Sequence, residues 1–280
     1  MMRFHIEGIG LCGPGLDGWA ESRLVLTGVQ NYVPAPTRVP PSTLLPANER
    51  RRSVQTVRLA LAVGSEAFAA SGHDPAGTAT VFASSGGDGE TIHQILEVLA
   101  SPNRELSPTR FHNSVHNTPA GYWSIATGAR TASTSLSCYD DSFSAGLLEA
   151  AVQVTVEQRA VALIAYDMQY PSPLSDVRPI GAVFAVAFVL SPVPTVSTLA
   201  SVTMRLEPGS DASVVPSPGL EALRQSTPAA RSLPLLMALA GQGETAVTLN
   251  YLDDMALTLE ITPIQACGTL ETGQFERGTG

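Results

Sequence analysis

The sequence predicts an α/β protein in which a mostly parallel sheet lies between layers of helices. Two continuous apolar runs, at residues 160–167 and 182–191, are typical of strands that are covered on both faces. Segments with helical periodicity alternate with strand patterns along the first two thirds of the chain. At 280 residues, the chain is long enough to bury a core of this kind.

The N-terminal segment begins with a strand pattern and continues into a long helix. Residues 3–11 alternate and end at a Gly-Pro-Gly turn, which predicts a strand. The proline-rich stretch 33–47 predicts an irregular surface loop. Residues 48–72 predict one helix that begins at Asn48 and stops at Gly72.

From residue 78 to residue 191, predicted strands and helices follow one another closely. They are a strand that runs into a glycine turn (78–90), a helix (91–101), a helix that stops at Gly128 (120–128), a strand (130–137), a helix opened by Asp141 or Ser142 (141–158) and the two apolar strands.

The pattern of predicted strands and helices changes after Pro192. Residues 198–208 predict a strand, 217–241 predict broken helices, and 245–263 predict a hairpin around an Asp-Asp turn. We therefore divide the chain into an N-terminal part (1–191), a smaller part packed on it (192–263) and a tail without periodicity (264–280), which we expect to be loose.

Composition excludes several classes of partner. A net charge of −9 argues against a nucleic-acid ligand, and no apolar run reaches the roughly 18–20 residues that span a bilayer. The N-terminus does not have the pattern of a signal peptide. The three cysteines are few, odd in number and without a common spacing, which fits a reducing compartment. We expect a cytoplasmic protein.

The sequence does not predict a metal or cofactor site. His112 and His116 have the spacing of one helix face, but no acidic residue lies at the base position between them and no third ligand is evident. The stretch SSGGDGET follows a strand but has no Gly-Lys-Ser/Thr and no GxGxxG motif, so a tight glycine turn explains it better than a phosphate site.

A set of landmarks lies between residues 106 and 151. In order these are Ser107-Pro108, Asn117, Ala120-Gly121, Gly128 and the helix from Ser142. Their order and spacing resemble the N-terminal half of a β-ketoacyl synthase, and the resemblance extends over roughly residues 1–191. It implies a thiolase-like layered α-β-α fold with a complete N-terminal half and a truncated C-terminal half.

The resemblance also identifies what is missing. In this family, a cysteine at a strand-to-helix turn accepts the acyl chain, and two histidines from the second half promote decarboxylation. Aligned without gaps, the nucleophile position falls on Asp140, and Cys138 lies two residues earlier. No histidine follows His116. The sequence thus resembles a chain length factor, a non-catalytic homologue that pairs with an active ketosynthase, and most resembles the small subunits of aryl polyene-type biosynthesis.

This resemblance implies partners and positions. The partner would be a catalytic β-ketoacyl synthase, in a heterodimer or a dimer of heterodimers, and the complex would contact an acyl carrier protein. The subunit would form part of the acyl tunnel and limit chain length. Tunnel or pocket candidates are Ser85, Arg110, Phe111, Asn117, Asp140 and Phe143. Candidates for the partner interface, on the strand that would pair across a dyad, are Thr131, Ser133, Ser135 and Ser137.

Alternatives remain open at the level of the sequence. The chain could be an active acyltransferase or condensing enzyme that uses Cys138, or a stand-alone acyl-binding protein. Asp140 and Asp141 also have the pattern of capping groups at a helix N-terminus. Arg50–Arg52 could contact an acidic carrier protein or could be a solvated helix start.

Overall fold

The computed structural model describes residues 1–41, 43–209, 211–241 and 243–264. The predicted tail at 264–280 lies outside the described residues from 265 onward. The strands are β1 (Met2–Gly13), β2 (Leu16–Asp17), β3 (Ala79–Ala83), β4 (Ser133–Leu136), β5 (Val161–Asp167), β6 (Phe184–Ser191), β7 (Ala200–Pro208), β8 (Thr245–Tyr251) and β9 (Met255–Pro263). The helices are α1 (Trp19–Leu26), α2 (Ala47–Arg52), α3 (Gln55–Ser71), α4 (Gly89–Ala100), α5 (Pro108–Asn113), α6 (Thr118–Thr127), α7 (Ser142–Glu157), α8 (Leu174–Val177), α9 (Pro218–Ser226) and α10 (Leu233–Ala240).

All described strands belong to one mixed sheet with the order β4-β3-β5-β6-β1-β7-β9-β8, and β2 pairs with β1. The β4–β3 and β3–β5 pairs are parallel, and the remaining pairs are antiparallel. The prediction of a mostly parallel sheet is therefore wrong. A continuous apolar run indicates burial on both faces, but it does not give the direction of the neighbouring strand.

Helices cover both faces of this sheet, so the layers are helix, sheet and helix. On one face, α3 packs on β1, β5 and β6, with α6 beside it. On the other, α7 packs on β3 and β5, and α10 packs on β8. The contact of α3 with β1 is close: a Cβ at Gly8 would lie 2.0 Å from the Ala67 carbonyl oxygen, and one at Gly10 would lie 1.9 Å from that of Val63.

The predicted helix 48–72 is broken into α2 and α3. Ser53 has an extended conformation (ψ 135°), which ends α2, and Val54 is the N-cap of α3. Asn48 is not a cap, because α2 begins at Ala47 after Pro46. The stop at Gly72 is confirmed, with the left-handed conformation typical of a C-cap glycine (φ 75°). Arg50–Arg52 therefore lie in the last turn of α2, where cations complement the helix dipole.

The C-terminal segment continues the sheet. Strand β7 pairs with the first half of β1, and the predicted hairpin is present as β8 and β9. One apolar cluster runs from β1 and α7 into α10, β8 and β9. Among the described residues, no helix has the length and apolar character to span a membrane.

Candidate functional site at the turn after β4

The turn that joins β4 to α7 contains the position to which the resemblance assigns a nucleophile. Tyr139–Asp141 form one turn of 3₁₀ helix between the strand and α7. Tyr139 is in the left-handed region (φ 50°), which is uncommon for a residue with a side chain. The Ser142 hydroxyl holds the turn: its oxygen accepts from the Cys138 N–H (2.9 Å), and it donates to the Tyr139 carbonyl (2.7 Å).

Two arginines neutralise the two acids of this turn. Oδ1 of Asp140 lies 2.5 Å from Nη2 of Arg178, an ion pair outside hydrogen-bond geometry, and Oδ2 lies 3.2 Å from Nη2 of Arg231. Nη1 of Arg231 donates to Oδ1 of Asp141 at 2.5 Å. Asp141 is the N-cap residue of α7, as predicted, but neither carboxylate makes a capping hydrogen bond to the helix, so the role of the two acids as capping acceptors is wrong. We call Asp140, Asp141, Arg178 and Arg231 the arginine clamp.

The arginine clamp connects the turn to distant parts of the chain. Oδ2 of Asp141 accepts from the Leu252 N–H (3.2 Å), in the turn between β8 and β9. The Arg178 guanidinium lies over the Tyr139 ring, 3.7 Å from its centroid, as in a cation–π contact. A cavity of about 300 Å³ adjoins these side chains. Elements far apart in sequence therefore fix the turn.

Cys138 does not lie in an environment that activates a thiol. Its side chain is half-buried on the strand side of the turn. Burial raises the pKa of the Cys138 thiol, and the nearby Asp141 carboxylate raises it further. A raised pKa keeps the sulfur protonated at neutral pH, whereas acyl transfer needs the thiolate.

The five histidines occupy separate sites. His5 bonds to the Ser201 hydroxyl (2.9 Å), His73 to the Glu7 carboxylate (2.5 Å), and His93 pairs with the Glu97 carboxylate (3.3 Å). The predicted face shared by His112 and His116 is wrong, because α5 ends at Asn113, before His116. In the described part of the chain, no three metal-ligating side chains come together.

A buried carboxylate lies behind the glycine turn that follows β3. Oδ1 of Asp167 accepts from the N–H (2.9 Å) and hydroxyl (2.7 Å) of Ser85, and Oδ2 accepts from the Ala229 N–H (2.8 Å). Burial raises the pKa of Asp167 to about 6, and these hydrogen bonds limit the rise. The Ser85 hydroxyl therefore faces inward.

The glycines of this turn make room for an aromatic ring. A Cβ at Gly86 would lie 1.7 Å from the Tyr170 hydroxyl oxygen, and one at Gly89 would lie 2.3 Å from the ring. The first residue of α4 follows the N-cap Asp88, whose carboxylate accepts from the Thr91 N–H (3.0 Å). Tyr170 thus packs against the glycines of this turn, in agreement with the prediction of a tight glycine turn.

The other pocket candidates are dispersed. Arg110 and Phe111 lie on α5 at the surface, where Phe111 is 64% exposed. Asn117 is the exposed N-cap residue of α6 and makes no side-chain capping bond. Phe143 was predicted to line a pocket, but it is fully buried in the core and packs against the Phe188 ring, with centroids 6.1 Å apart. The apolar contacts of α7 with the sheet require this placement.

The interface candidates lie on or beside an edge strand, because β4 ends the sheet. Ser133 and Ser135 belong to β4, and Ser133 accepts from the Thr80 hydroxyl (2.9 Å). Thr131 precedes the strand and donates to the Thr78 carbonyl (2.8 Å). Ser137 follows it and donates to the Ser85 carbonyl (2.9 Å), which joins the edge strand to the glycine turn.

Sequence reasoning missed four residues that shape this region: Arg178, Arg231, Asp167 and Tyr170. The two arginines are 38 and 91 positions beyond Asp140 along the chain, and no local pattern marks them. Asp167 was detectable, because it is the one acid that ends the apolar run 160–167. A carboxylate at the end of a buried strand needs partners.

The family comparison agrees with this layered fold. The profile of the β-ketoacyl synthase N-terminal domain matches residues 26–251. The chain therefore belongs to the β-ketoacyl synthase N-terminal domain family and has the thiolase-like fold. No curated protein matches the sequence.

Similar solved structures include assemblies of two kinds of subunit. A chain in the complex of the ketosynthase ApeO with its chain length factor ApeC, from Xenorhabdus doucetiae, is 23% identical with a TM-score of 0.71, over 93% of this chain and 100% of that chain. The ishigamide ketosynthase/chain length factor is 13% identical with a TM-score of 0.68, over 95% and 100%. A β-ketoacyl synthase from Burkholderia phymatum STM815 is 17% identical with a TM-score of 0.61, over 82% and 71%. At these identities, the comparisons show a shared fold.

Proposed function

We propose that the chain is a non-catalytic subunit of the chain length factor type, which pairs with a catalytic β-ketoacyl synthase. It forms part of the acyl tunnel and limits chain length in polyketide, aryl polyene-type or fatty-acid-like synthesis. The observation that carries this proposal is the arginine clamp, which occupies the expected nucleophile position with carboxylates paired to guanidinium groups.

The chemistry of this turn is unsuited to acyl transfer. A carboxylate paired with arginine is a weak nucleophile, and its acyl product would be an anhydride instead of a thioester. The Cys138 thiol is held protonated by burial and by Asp141. No histidine follows residue 116, so the second half cannot supply the two imidazoles that a condensing enzyme uses.

The surface around β4 suits a protein partner. An uncovered edge strand presents unpaired backbone groups, which proteins usually protect. Helices α6 and α7 flank β4 and carry exposed apolar side chains, among them Ile125 (49% exposed) and Val156 (73% exposed). Tyr139, 64% exposed, extends this surface at the end of the strand. Together these residues support pairing of the β4 edge with the catalytic subunit.

The tunnel role is proposed for the residues at the surface near the glycine turn: Ser85, Arg110, Phe111 and Asn117. Phe111 provides exposed apolar area that a partner would cover. The Ser85 hydroxyl is hydrogen-bonded to Asp167, so Ser85 would limit the tunnel only through the volume of its small side chain. Asp140 contributes to the turn through the arginine clamp. The exposed Arg50–Arg52 at the end of α2 are available for an acidic carrier protein.

Co-expression with a catalytic ketosynthase tests the pairing. We expect one peak that contains both proteins in size-exclusion chromatography. Ile125→Glu and Val156→Glu place charges on the exposed surface of the two helices that flank β4 and are expected to separate the two chains. Val196→Glu is the matched control, because Val196 is fully exposed in the β6–β7 loop. Separate peaks for the wild-type proteins would refute the pairing.

Mass spectrometry of the complex after incubation with acyl and malonyl carrier substrates tests the silent role. We expect acyl groups on the partner's cysteine only, with Cys138→Ala leaving product formation unchanged. An acyl group on Cys138 in the absence of any partner would identify the chain as an enzyme and would contradict the proposal.

A further inference from the structure

Asp167 is a buried carboxylate to which the proposed function gives no role. It is the last residue of β5 and is 2% exposed. Within the ranges that the structure describes, no cationic side chain forms an ion pair with it. A buried carboxylate without a charged partner depends on hydrogen bonds, and the donors of those bonds show which segments it holds in place.

One oxygen of this carboxylate organises the glycine turn after β3. Oδ1 accepts from the N–H (2.9 Å) and hydroxyl (2.7 Å) of Ser85 and from the Ser84 hydroxyl (3.4 Å). The Ser84 hydroxyl oxygen accepts in turn from the Gly87 N–H (3.0 Å). The Ser85 carbonyl accepts from the hydroxyl of Ser137, the residue directly after β4 (2.9 Å). A continuous chain of hydrogen bonds therefore leads from Asp167 to the end of β4.

The other oxygen holds a segment that belongs to the arginine clamp. Oδ2 accepts from the Ala229 N–H (2.8 Å), in the 3₁₀ turn Pro228–Ser232. The same 3₁₀ turn carries Arg231, which pairs with Asp140 and Asp141 in the turn after β4. Two separate routes, one from each oxygen, thus connect this carboxylate to the end of the edge strand.

The hydrogen bonds at Asp167 require the ionised form of the side chain. Each of them is donated to the carboxylate, by a backbone N–H or a serine hydroxyl. A protonated carboxyl group carries a hydroxyl that donates, so at least one of these bonds would be weakened or lost. Burial raises the pKa of Asp167 to about 6, so the change of form falls at mildly acidic pH.

We propose that Asp167 is a positioning residue that makes the pairing of the β4 edge with the catalytic subunit dependent on pH, with tighter pairing when its carboxylate is ionised. This inference rests on the proposed function. In the ionised form, both routes hold the residues after β4 in one arrangement. Protonation releases part of this network, and the partner then has to order the end of β4 as it binds, which weakens the complex.

Other titratable or charged groups adjoin the same segments. They are Asp88 and Tyr170 at the glycine turn, Tyr166 on β5, His116 and the arginine clamp. Nε2 of His116 lies 3.3 Å from the Ser84 carbonyl oxygen, so this histidine is in contact with the glycine turn. His116→Gln therefore separates the titration of His116 from that of Asp167.

Binding of the full chain to the catalytic ketosynthase, measured by biolayer interferometry between about pH 5 and pH 8, tests the coupling. We expect the Kd of the wild type to rise by about tenfold on acidification. We expect Asp167→Asn to bind with the weaker, acidic value at every pH, because an amide accepts at one atom only. Titration of the ketosynthase itself cancels when variants are compared at one pH, and circular dichroism at each pH checks that the variants are folded.

Ser137→Ala tests the route through the glycine turn without a change in the core, since Ser137 is exposed. We expect weaker pairing and a smaller pH dependence, because the route through Arg231 is still present. His116→Gln is expected to retain the full pH dependence. Ser53→Ala is the matched control and is expected to bind as the wild type does, since its hydroxyl also donates to a backbone carbonyl at 2.9 Å but lies at the end of α2.

The outcomes separate this inference from the proposed function. Wild-type binding that does not change with pH would overturn the role of Asp167, as would a pH dependence that disappears in His116→Gln. Equal Kd values of wild type and Asp167→Asn at about pH 8 would also overturn it. If Asp167→Asn does not fold, a full pH dependence in Ser137→Ala overturns the coupling through the glycine turn. Absence of wild-type binding at every pH would instead refute the pairing itself.

Discussion

Replacement of Asp167 by asparagine tests the buried network behind the glycine turn. The carboxylate is 2% exposed and accepts hydrogen bonds from Ser85 and from the Ala229 N–H. Burial raises its pKa from 3.8 to about 6. Asparagine has the same shape but does not titrate, so the difference between the two proteins isolates the protonation of this one group.

The sign and size of the effect follow from linkage between protonation and folding. Because the folded pKa is above the unfolded value, the carboxyl group contributes stability that is fully present below about pH 4. This contribution is lost as the pH rises through about 6. The difference between the folded and unfolded pKa of Asp167 corresponds to about 3 kcal/mol of folding free energy in total. Between about pH 5.5 and pH 8, the portion that disappears is about 1 kcal/mol.

Urea unfolding, followed by circular dichroism at several pH values, measures this contribution. We expect the free energy of unfolding of the wild type, relative to Asp167→Asn, to fall by about 1 kcal/mol from pH 5.5 to pH 8. The control is Asp211→Asn at an exposed site, where the same comparison is expected to be flat. A constant difference between wild type and Asp167→Asn across this range would show that Asp167 does not titrate there.

Two further predictions concern stability. Gly86→Ala brings a Cβ to 1.7 Å from the Tyr170 hydroxyl oxygen, and we expect a loss of about 1–3 kcal/mol in urea unfolding. Gly121→Ala, in open space on α6, is its control and is expected to be neutral or stabilising, so equal effects would contradict the packing argument. His73→Ala leaves the buried Glu7 carboxylate without its 2.5 Å partner, and we expect a loss of about 3 kcal/mol, whereas a loss below about 1 kcal/mol would mean that the pair does not stabilise the fold.

The sequence predicted the elements better than their arrangement. Periodicity and glycine stops located α6 and the end of α3, because a left-handed residue such as Gly128 (φ 75°) is marked by its identity. Alternation located the β8–β9 hairpin. The directions of the strands around β1 and β6 were predicted wrongly, since direction depends on long-range pairing that leaves no local signal.

The contacts of the candidate site could not be predicted from the sequence. A count of histidines and the spacing from Ser107-Pro108 to the helix at Ser142 led to the expectation of a turn without a nucleophile, which stays a prediction. The partners of Asp140 were not predictable, because Arg178 and Arg231 come close to it only through tertiary packing. The pattern of acids at a helix N-terminus favoured capping, but ion pairs with these arginines are what the fold provides.

Under the proposed function, the same contacts lead us to expect that Asp140→Cys would not create a condensing enzyme. A carboxylate offers two oxygens, and Asp140 uses one for each arginine. A thiol at this position would not form the two ion pairs that the carboxylate forms. It would therefore leave Arg178 and Arg231 with fewer partners in a half-buried site. The turn is held at its far side by Asp141 and the Leu252 N–H, so it cannot relax easily toward a different geometry. The carboxylates thus form part of the packing between the turn and the C-terminal segment.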